Sequence, residues 1–235
     1  MTQMRCALLC KEEMRRNEMK IIKEKFDKKD IQNLPKVQFN GRIITVISER
    51  DAEKAVDYLL SQSILGFDSE TRPSFKKGTN HQVALLQVST HDTCFLFRLN
   101  RIGMPDAIVR LLENKTVTKV GLSLKDDFMQ LRHRRDFTPG NFIDLQHEVK
   151  ELGIADMSLQ KLYANLLGGK ISKTQQLSNW ECDSLSEAQQ QYAAIDAWAC
   201  VKLHEEIQRL EHSGDYRIEK SPVAEAVKSE KDNNQ

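Results

Sequence analysis

The chain has 235 residues, with 35 Lys+Arg against 34 Asp+Glu for a formal charge of +1. That length fits one domain of ordinary size or two small ones, and buries about 70% of the unfolded surface without disulfide or metal staples. A 40% hydrophobic share with 29% charged residues excludes a disordered or fibrous chain, and the even balance excludes a histone-like polycation or an acidic tail protein. Net charge does not say where charges sit, so a nucleic-acid enzyme stays open.

Residues 1–30 read as a charged leader, helical or disordered, because 14 of residues 11–30 are charged and Met14, Ile21, Ile22 and Phe26 keep only a sparse helical spacing. Met19 is an alternative start. Arg42–Ile47 is β-rich, and Ser48, with Asp51 three residues on, caps a helix through Leu60. Strands are predicted at Ile64–Thr71, Val83–Ser89 and Thr93–Leu99. The last two are separated only by Thr90-His-Asp92, which implies antiparallel pairing. A helix at Pro105–Glu113 precedes a short strand at Thr118–Leu122, and helices follow at 125–134, 144–152, 158–167 and 187–210. Residues 211–235 lack an apolar period and read as a disordered tail. The domain therefore spans 31–210, an α/β unit whose mixed sheet joins an antiparallel meander to parallel strands flanked by helices.

Cys6, Cys10, Cys94, Cys182 and Cys200 are scattered and odd in number, which predicts reduced thiols and a cytoplasmic location. Cys6 and Cys10 have no second Cys/His pair to complete a zinc set. The run Cys6–Cys10 is too short for a signal-peptide core, and no segment reaches the ~20 apolar residues of a membrane span, so no membrane partner is expected.

Three groups of acids resist a structural explanation. In Ile64-Leu-Gly-Phe-Asp68-Ser-Glu70-Thr the period-two alternation of a strand puts Asp68 and Glu70 on one side. Two adjacent carboxylates on an apolar strand repel each other and resist desolvation. Arg72 is the nearest cation in sequence that could neutralise them; a divalent cation with hard oxygen ligands resolves the conflict better. In the last helix Tyr192 and Asp196 are spaced i, i+4, on a stripe with Ala193, Ala197 and Cys200, where a lone acid must be hydrogen-bonded or coordinate a metal. In Lys119-Val-Gly-Leu-Ser-Leu-Lys-Asp126-Asp127-Phe128 one aspartate suits the helix N-terminus; Asp127, beside the core-facing Phe128, is favoured over Asp126 as the inward carboxylate, with Asp126 the alternative.

Together, Phe-Asp68-x-Glu70-Thr, Lys-Val-Gly-(x)5-Asp127 and Tyr192-x-x-x-Asp196 resemble the three motifs of the DEDD 3'-5' exonucleases, tyrosine subtype. Val83-Ala-Leu-Leu-Gln-Val and Leu177-Ser-Asn-Trp180 match the surrounding context, and the chain is similar to RNase D-like enzymes and the exonuclease domain of the Werner syndrome helicase over about Arg42 to Leu210. The resemblance implies a ribonuclease H-like fold and two-metal phosphodiester hydrolysis from a 3' end, on DNA or RNA, releasing nucleoside 5'-monophosphates. It implies two divalent cations, Mg²⁺ or Mn²⁺: Asp68, Glu70 and Asp196 hold the one nearer the attacking water, and Asp68 with Asp127 the other. Tyr192 orients the water rather than losing a proton, since a phenol titrates near ~10.

The loop Arg72-Pro-Ser-Phe75-Lys76-Lys77 leaves the catalytic strand and would border the terminal nucleotide, with Phe75 stacking on a base and Arg72, Lys76 and Lys77 near phosphate. Arg134 and Arg135 would form a backbone-tracking patch. The expected partner is single-stranded or 3'-ended nucleic acid, with processivity supplied by a homo-oligomer or a separate helicase or polymerase. A non-catalytic binding member of the fold is the competing reading; loss of a carboxylate would favour it, and all four find matches. The Tyr-x-x-x-Asp spacing argues against a phosphatase-like hydrolase.

Overall fold

The computed structural model describes residues 19–75, 78 and 80–220. In chain order the elements are β1 (Lys20–Lys23), α1 (Lys28–Ile31), β2 (Arg42–Val46), α2 (Glu49–Leu60), β3 (Ile64–Thr71), β4 (Val83–Ser89), β5 (Thr93–Phe97), α3 (Leu99–Ile102), α4 (Asp106–Glu113), β6 (Thr118–Gly121), α5 (Leu124–Arg132), β7 (Phe142–Asp144), α6 (Leu145–Glu151), α7 (Leu159–Leu167), α8 (Glu187–Ser213) and β8 (Tyr216–Glu219).

Six strands form one mixed sheet in the order β2-β5-β4-β3-β6-β7. The β3–β4 and β4–β5 pairs are antiparallel, as the short Thr90–Asp92 link requires; β2–β5, β3–β6 and β6–β7 are parallel. The sheet's mixed character follows the sequence reading. The carboxylate strand β3 lies in the interior of the sheet, between β4 and β6.

Helices cover both faces. On one side α2, α4 and α5 bury Leu65, Phe67, Leu86, Val88, Phe95 and Phe97 of the sheet. On the other α8 crosses β3, β4, β5 and β6, with α6 and α7 packed alongside. That crossing depends on Gly66: a Cβ there would come within 1.9 Å of the Ala197 carbonyl oxygen, so only glycine lets α8 approach this closely. Residues 66, 68 and 70 share a face by alternation, and the same close approach therefore brings α8 to the acids of β3.

The caps explain where helices begin. Ser48 Oγ accepts from Asp51 N–H at 3.1 Å and donates to the Asp51 carboxylate at 2.7 Å. Ser186 and Gln189 form a reciprocal capping box at the start of α8, and with neither glycine nor proline inside it the helix runs 27 residues to a left-handed Gly214.

The ends of the described chain correct the sequence reading. β1, inside the region read as leader, pairs in parallel with β8, inside the region read as tail, from Lys20↔Tyr216 to Lys23↔Glu219. Ile22 is fully buried in the α8-side core, Ile218 packs against that core, and Lys20 forms an ion pair with Glu206 of α8. Four-residue strands carry too few apolar side chains to show a period; only meeting each other satisfies their backbones. Residues 1–18 and 221–235, with Cys6 and Cys10, lie outside the described residues. Among those described, Cys94, Cys182 and Cys200 are free thiols, and no helix is long and apolar enough to cross a membrane.

Candidate active site

Asp68 and Glu70 leave β3 on the α8 side, and Asp196 descends from α8 to meet them: the three carboxylates offer oxygens within 4.8 Å of one another. Tyr192 stands one turn before Asp196 on the same helix. These four side chains line a cavity of about 310 Å³ together with Ser69, Leu122, Gln160, Ile171, Lys173 and Cys200, among others.

Asp127 stands apart from the triplet and does not line that cavity. It sits in the first turn of α5, and Ser69, between the two acids of β3, donates a hydrogen bond to its Oδ1. Asp126 is exposed, whereas Asp127 is only partly exposed. The hinge that presents Asp127 is unusual. Ser123 is the one non-glycine residue with positive φ (64°) among those described. Asp144, at the end of β7, clasps this turn: its carboxylate accepts from Ser123 N–H at 3.1 Å and Leu124 N–H at 2.9 Å, while also capping α6 through Gln146 N–H at 2.9 Å. Behind the turn, Phe128 packs edge-on to Phe142 at 4.8 Å and lies 6.4 Å from Phe67, so the apolar face of β3 helps to seat the helix that carries Asp127.

Electrostatically the site is strained. Burial, reinforced by Asp196 and Asp127, pushes Glu70 up to about 9. Asp196 rises to about 7 by burial, partly offset by a hydrogen bond from Tyr192 and the charge of Lys173. Asp127 rises to about 6 by burial, partly offset by Ser69. Asp68 lies well above the carboxylate range, from burial first and then from Asp127, Asp196 and Glu70. Burial and the neighbouring acids also raise the Tyr192 phenol and the Cys200 thiol, so both stay protonated. Arg72, the cation nearest in sequence, is turned away: it pairs with Glu181 at 3.2 Å, and Glu181 also meets His81 at 3.1 Å. Lys173 is the protein cation on the cavity wall.

The other proposed contacts fare differently. Phe75 is 83% exposed on its loop. Lys76 and Lys77 lie outside the described residues. Arg134 is half-buried and donates to the Val83 carbonyl at 2.5 Å, whereas Arg135 stays exposed and pairs with the exposed Asp106 at 2.7 Å. Ser69, Asp144 and Lys173 escaped the sequence reading. Ser69 was legible in principle, as the residue that alternation sends to the opposite face from Asp68 and Glu70. Lys173 gave no signal, being one polar residue in a polar loop. The segment before α8 is held by its carbonyls: Arg98, 2% exposed, donates to Cys182 O, and Asn100 Nδ2 reaches Glu181 O at 3.4 Å.

A family model described as 3'-5' exonuclease matches residues 43–210 of this chain. The chain belongs to the 3'-5' exonuclease family. Its relatives include the bifunctional 3'-5' exonuclease/ATP-dependent helicase WRN of Mus musculus, 30% identical over 188 residues, which covers 76% of this chain but only 13% of that protein. Among solved structures, the Aedes aegypti Nibbler EXO domain superposes with a TM-score of 0.66 at 23% identity, covering 73% of this chain and 89% of that one. Trypanosoma brucei RNase D in complex with RNA U12 superposes with a TM-score of 0.63 at 18% identity, covering 72% and 63%. These likenesses agree with the ribonuclease H-like architecture of the sheet, and the match spans all three acidic motifs.

Proposed function

We propose that this exonuclease-family chain removes nucleotides from the 3' end of DNA or RNA by metal-dependent phosphodiester hydrolysis, releasing nucleoside 5'-monophosphates. The observation that carries the reading is the convergence of Asp68, Glu70 and Asp196 within 4.8 Å, two strand positions and one helix position brought together. Such a set of hard oxygen donors, mutually repelling and partly buried, fits Mg²⁺ or Mn²⁺. Asp68, Glu70 and Asp196 would hold one cation and Asp68 with Asp127 a second. When bound, the pair supplies Lewis-acid stabilisation of the entering and leaving oxygens.

The chain's own groups do the positioning. Tyr192, protonated and next to Asp196, orients the attacking water through its hydroxyl. Lys173 on the cavity wall offers a cation to the terminal phosphate, and Phe75 an exposed ring on which a base can stack, typically worth ~1–3 kcal/mol. Arg72, through its bond to Glu181, holds that loop against the segment that follows Trp180, and Lys76 and Lys77, next in sequence after Phe75, are proposed as further phosphate contacts. One solved neighbour holds RNA, which makes RNA a candidate substrate here beside DNA. Processivity would come from a homo-oligomer or a separate helicase or polymerase partner.

Matched RNA and DNA strands labelled at the 5' end, incubated with Mg²⁺ or Mn²⁺, test this directly. The expected result is a ladder shortened from the 3' end, on at least one sugar, lost in EDTA and in Asp68→Ala. Tight binding without cleavage would overturn it in favour of a binding protein.

A further inference from the structure

Asp127 has a side-chain donor of its own, and Asp196 and Glu70 each have a donor side chain close by. Ser69 donates to Asp127, the Tyr192 hydroxyl faces Asp196, and the indole of the fully buried Trp180 is turned toward Glu70 with its Nε1 short of hydrogen-bond distance. Among the described residues no side chain donates to Asp68, which has the backbone N–H of Ser69 beside it, although a carboxylate accepts several bonds. It is also the acid that both proposed cations would share, and so the one whose orientation matters most.

Next to it lies an amide with nothing to do. Gln87 is 0% exposed, and among the described residues it alone has both a side-chain nitrogen and a side-chain oxygen buried without a hydrogen-bond partner. Its register partner on β3 is Asp68 and on β5 is Leu96. Alternation puts Gln87 on the α8 side with Leu85 and Leu96, where a leucine would pack without cost. Directly opposed residues have Cβ atoms about 4.5–5.5 Å apart, within reach of a side chain with three rotatable bonds. Buried polar groups without partners are rare and ask for an explanation.

We infer that Gln87 is the positioning residue of Asp68: its amide, unbonded in this structure, turns toward its register partner when the cations bind and donates through Nε2 to one carboxylate oxygen, so that the remaining lone pairs face the cavity. A neutral donor suits this role, because it fixes the carboxylate without bringing a positive charge that would compete with a cation. The inference rests on the cation site proposed above.

Binding of Mn²⁺ alone, measured by calorimetry on the full chain, tests it, with melting temperature in EDTA recorded alongside. Gln87→Met keeps length and removes the amide; Gln87→Leu is the second variant. The expected result is Mn²⁺ affinity at least about tenfold lower, the effect usual for the supporting shell of a metal ligand, with a melting temperature in EDTA equal to or above wild type. Mn²⁺ affinity equal to wild type in a folded variant overturns the role of Gln87 alone. Loss of affinity together with a lower melting temperature in EDTA in both variants overturns it too, because Gln87 is then a packing residue. No Mn²⁺ uptake by the wild type overturns the cation site and Gln87 together.

Discussion

The two faces of β3 come from one eight-residue strand and follow opposite physics. Leu65 and Phe67 point into the α2/α4/α5 layer and are fully buried in its apolar cluster, with Phe142 edge-on to Phe67 at 5.2 Å. Gly66, Asp68 and Glu70 point at α8, where a missing side chain and two acids stand in place of a core. The first face supplies stability. The second gives some of it up, because partly buried carboxylates that repel one another are tolerable only if something else neutralises them. The contrast implies that substitutions on the two faces should separate folding from activity.

The largest effect is expected from Asp196→Asn, which should reduce cleavage below detection while leaving the circular dichroism spectrum and cooperative unfolding intact. A variant that cuts at the wild-type rate would remove Asp196 from the site. Phe67→Ala should do the converse, costing about 3–5 kcal/mol in denaturant unfolding through the cavity it leaves, with cleavage per folded molecule much less affected. Between these sits Asp144→Ala, which deletes the clasp on the Ser123 turn. It should cost about 1–2 kcal/mol, the scale of a lost helix cap, and reduce activity by misplacing Asp127, with Asp144→Asn recovering part of both.

A further effect is a pH dependence. Glu70 and Asp196, at about 9 and about 7, lie above the ~4 of an unfolded carboxyl. Between about pH 4 and pH 9 the metal-free folded state therefore binds more protons than the unfolded chain, and its stability falls as pH rises through that window. Glu70→Gln removes one such group. In EDTA its melting temperature should exceed that of wild type by a margin that widens from pH 6 to pH 9, and a margin independent of pH would contradict the assigned shift.

Much of this was legible in the residues themselves. Ile64–Thr71 and Val83–Ser89 hold as strands over the residues expected, and Ser48 caps its helix through Asp51, because these signals are local. What sequence could not supply depended on partners far along the chain. The partners of Arg134 and Arg135, Val83 O and Asp106, lie far along the chain and left no local signal. Lys173 acquires meaning only beside Asp196, and Asp144 only across from Ser123. β1 and β8, nearly two hundred residues apart, are intelligible only as a pair. The parallel β2–β5 contact likewise requires the chain to pass through α2, β3 and β4 first.

One comparison tests most directly the claim that the α8 side of β3 exchanges stability for cation binding: the melting temperatures of wild type and Asp68→Asn at pH 8, each in EDTA and in saturating Mn²⁺. Removing one of the crowded acids, whose ionisation burial opposes, should make the variant melt above wild type in EDTA. In Mn²⁺ the order should reverse, because only the wild type retains the full ligand set and gains the linked binding free energy. A variant that melts below wild type in EDTA, or an equal Mn²⁺ shift in both proteins, would contradict it.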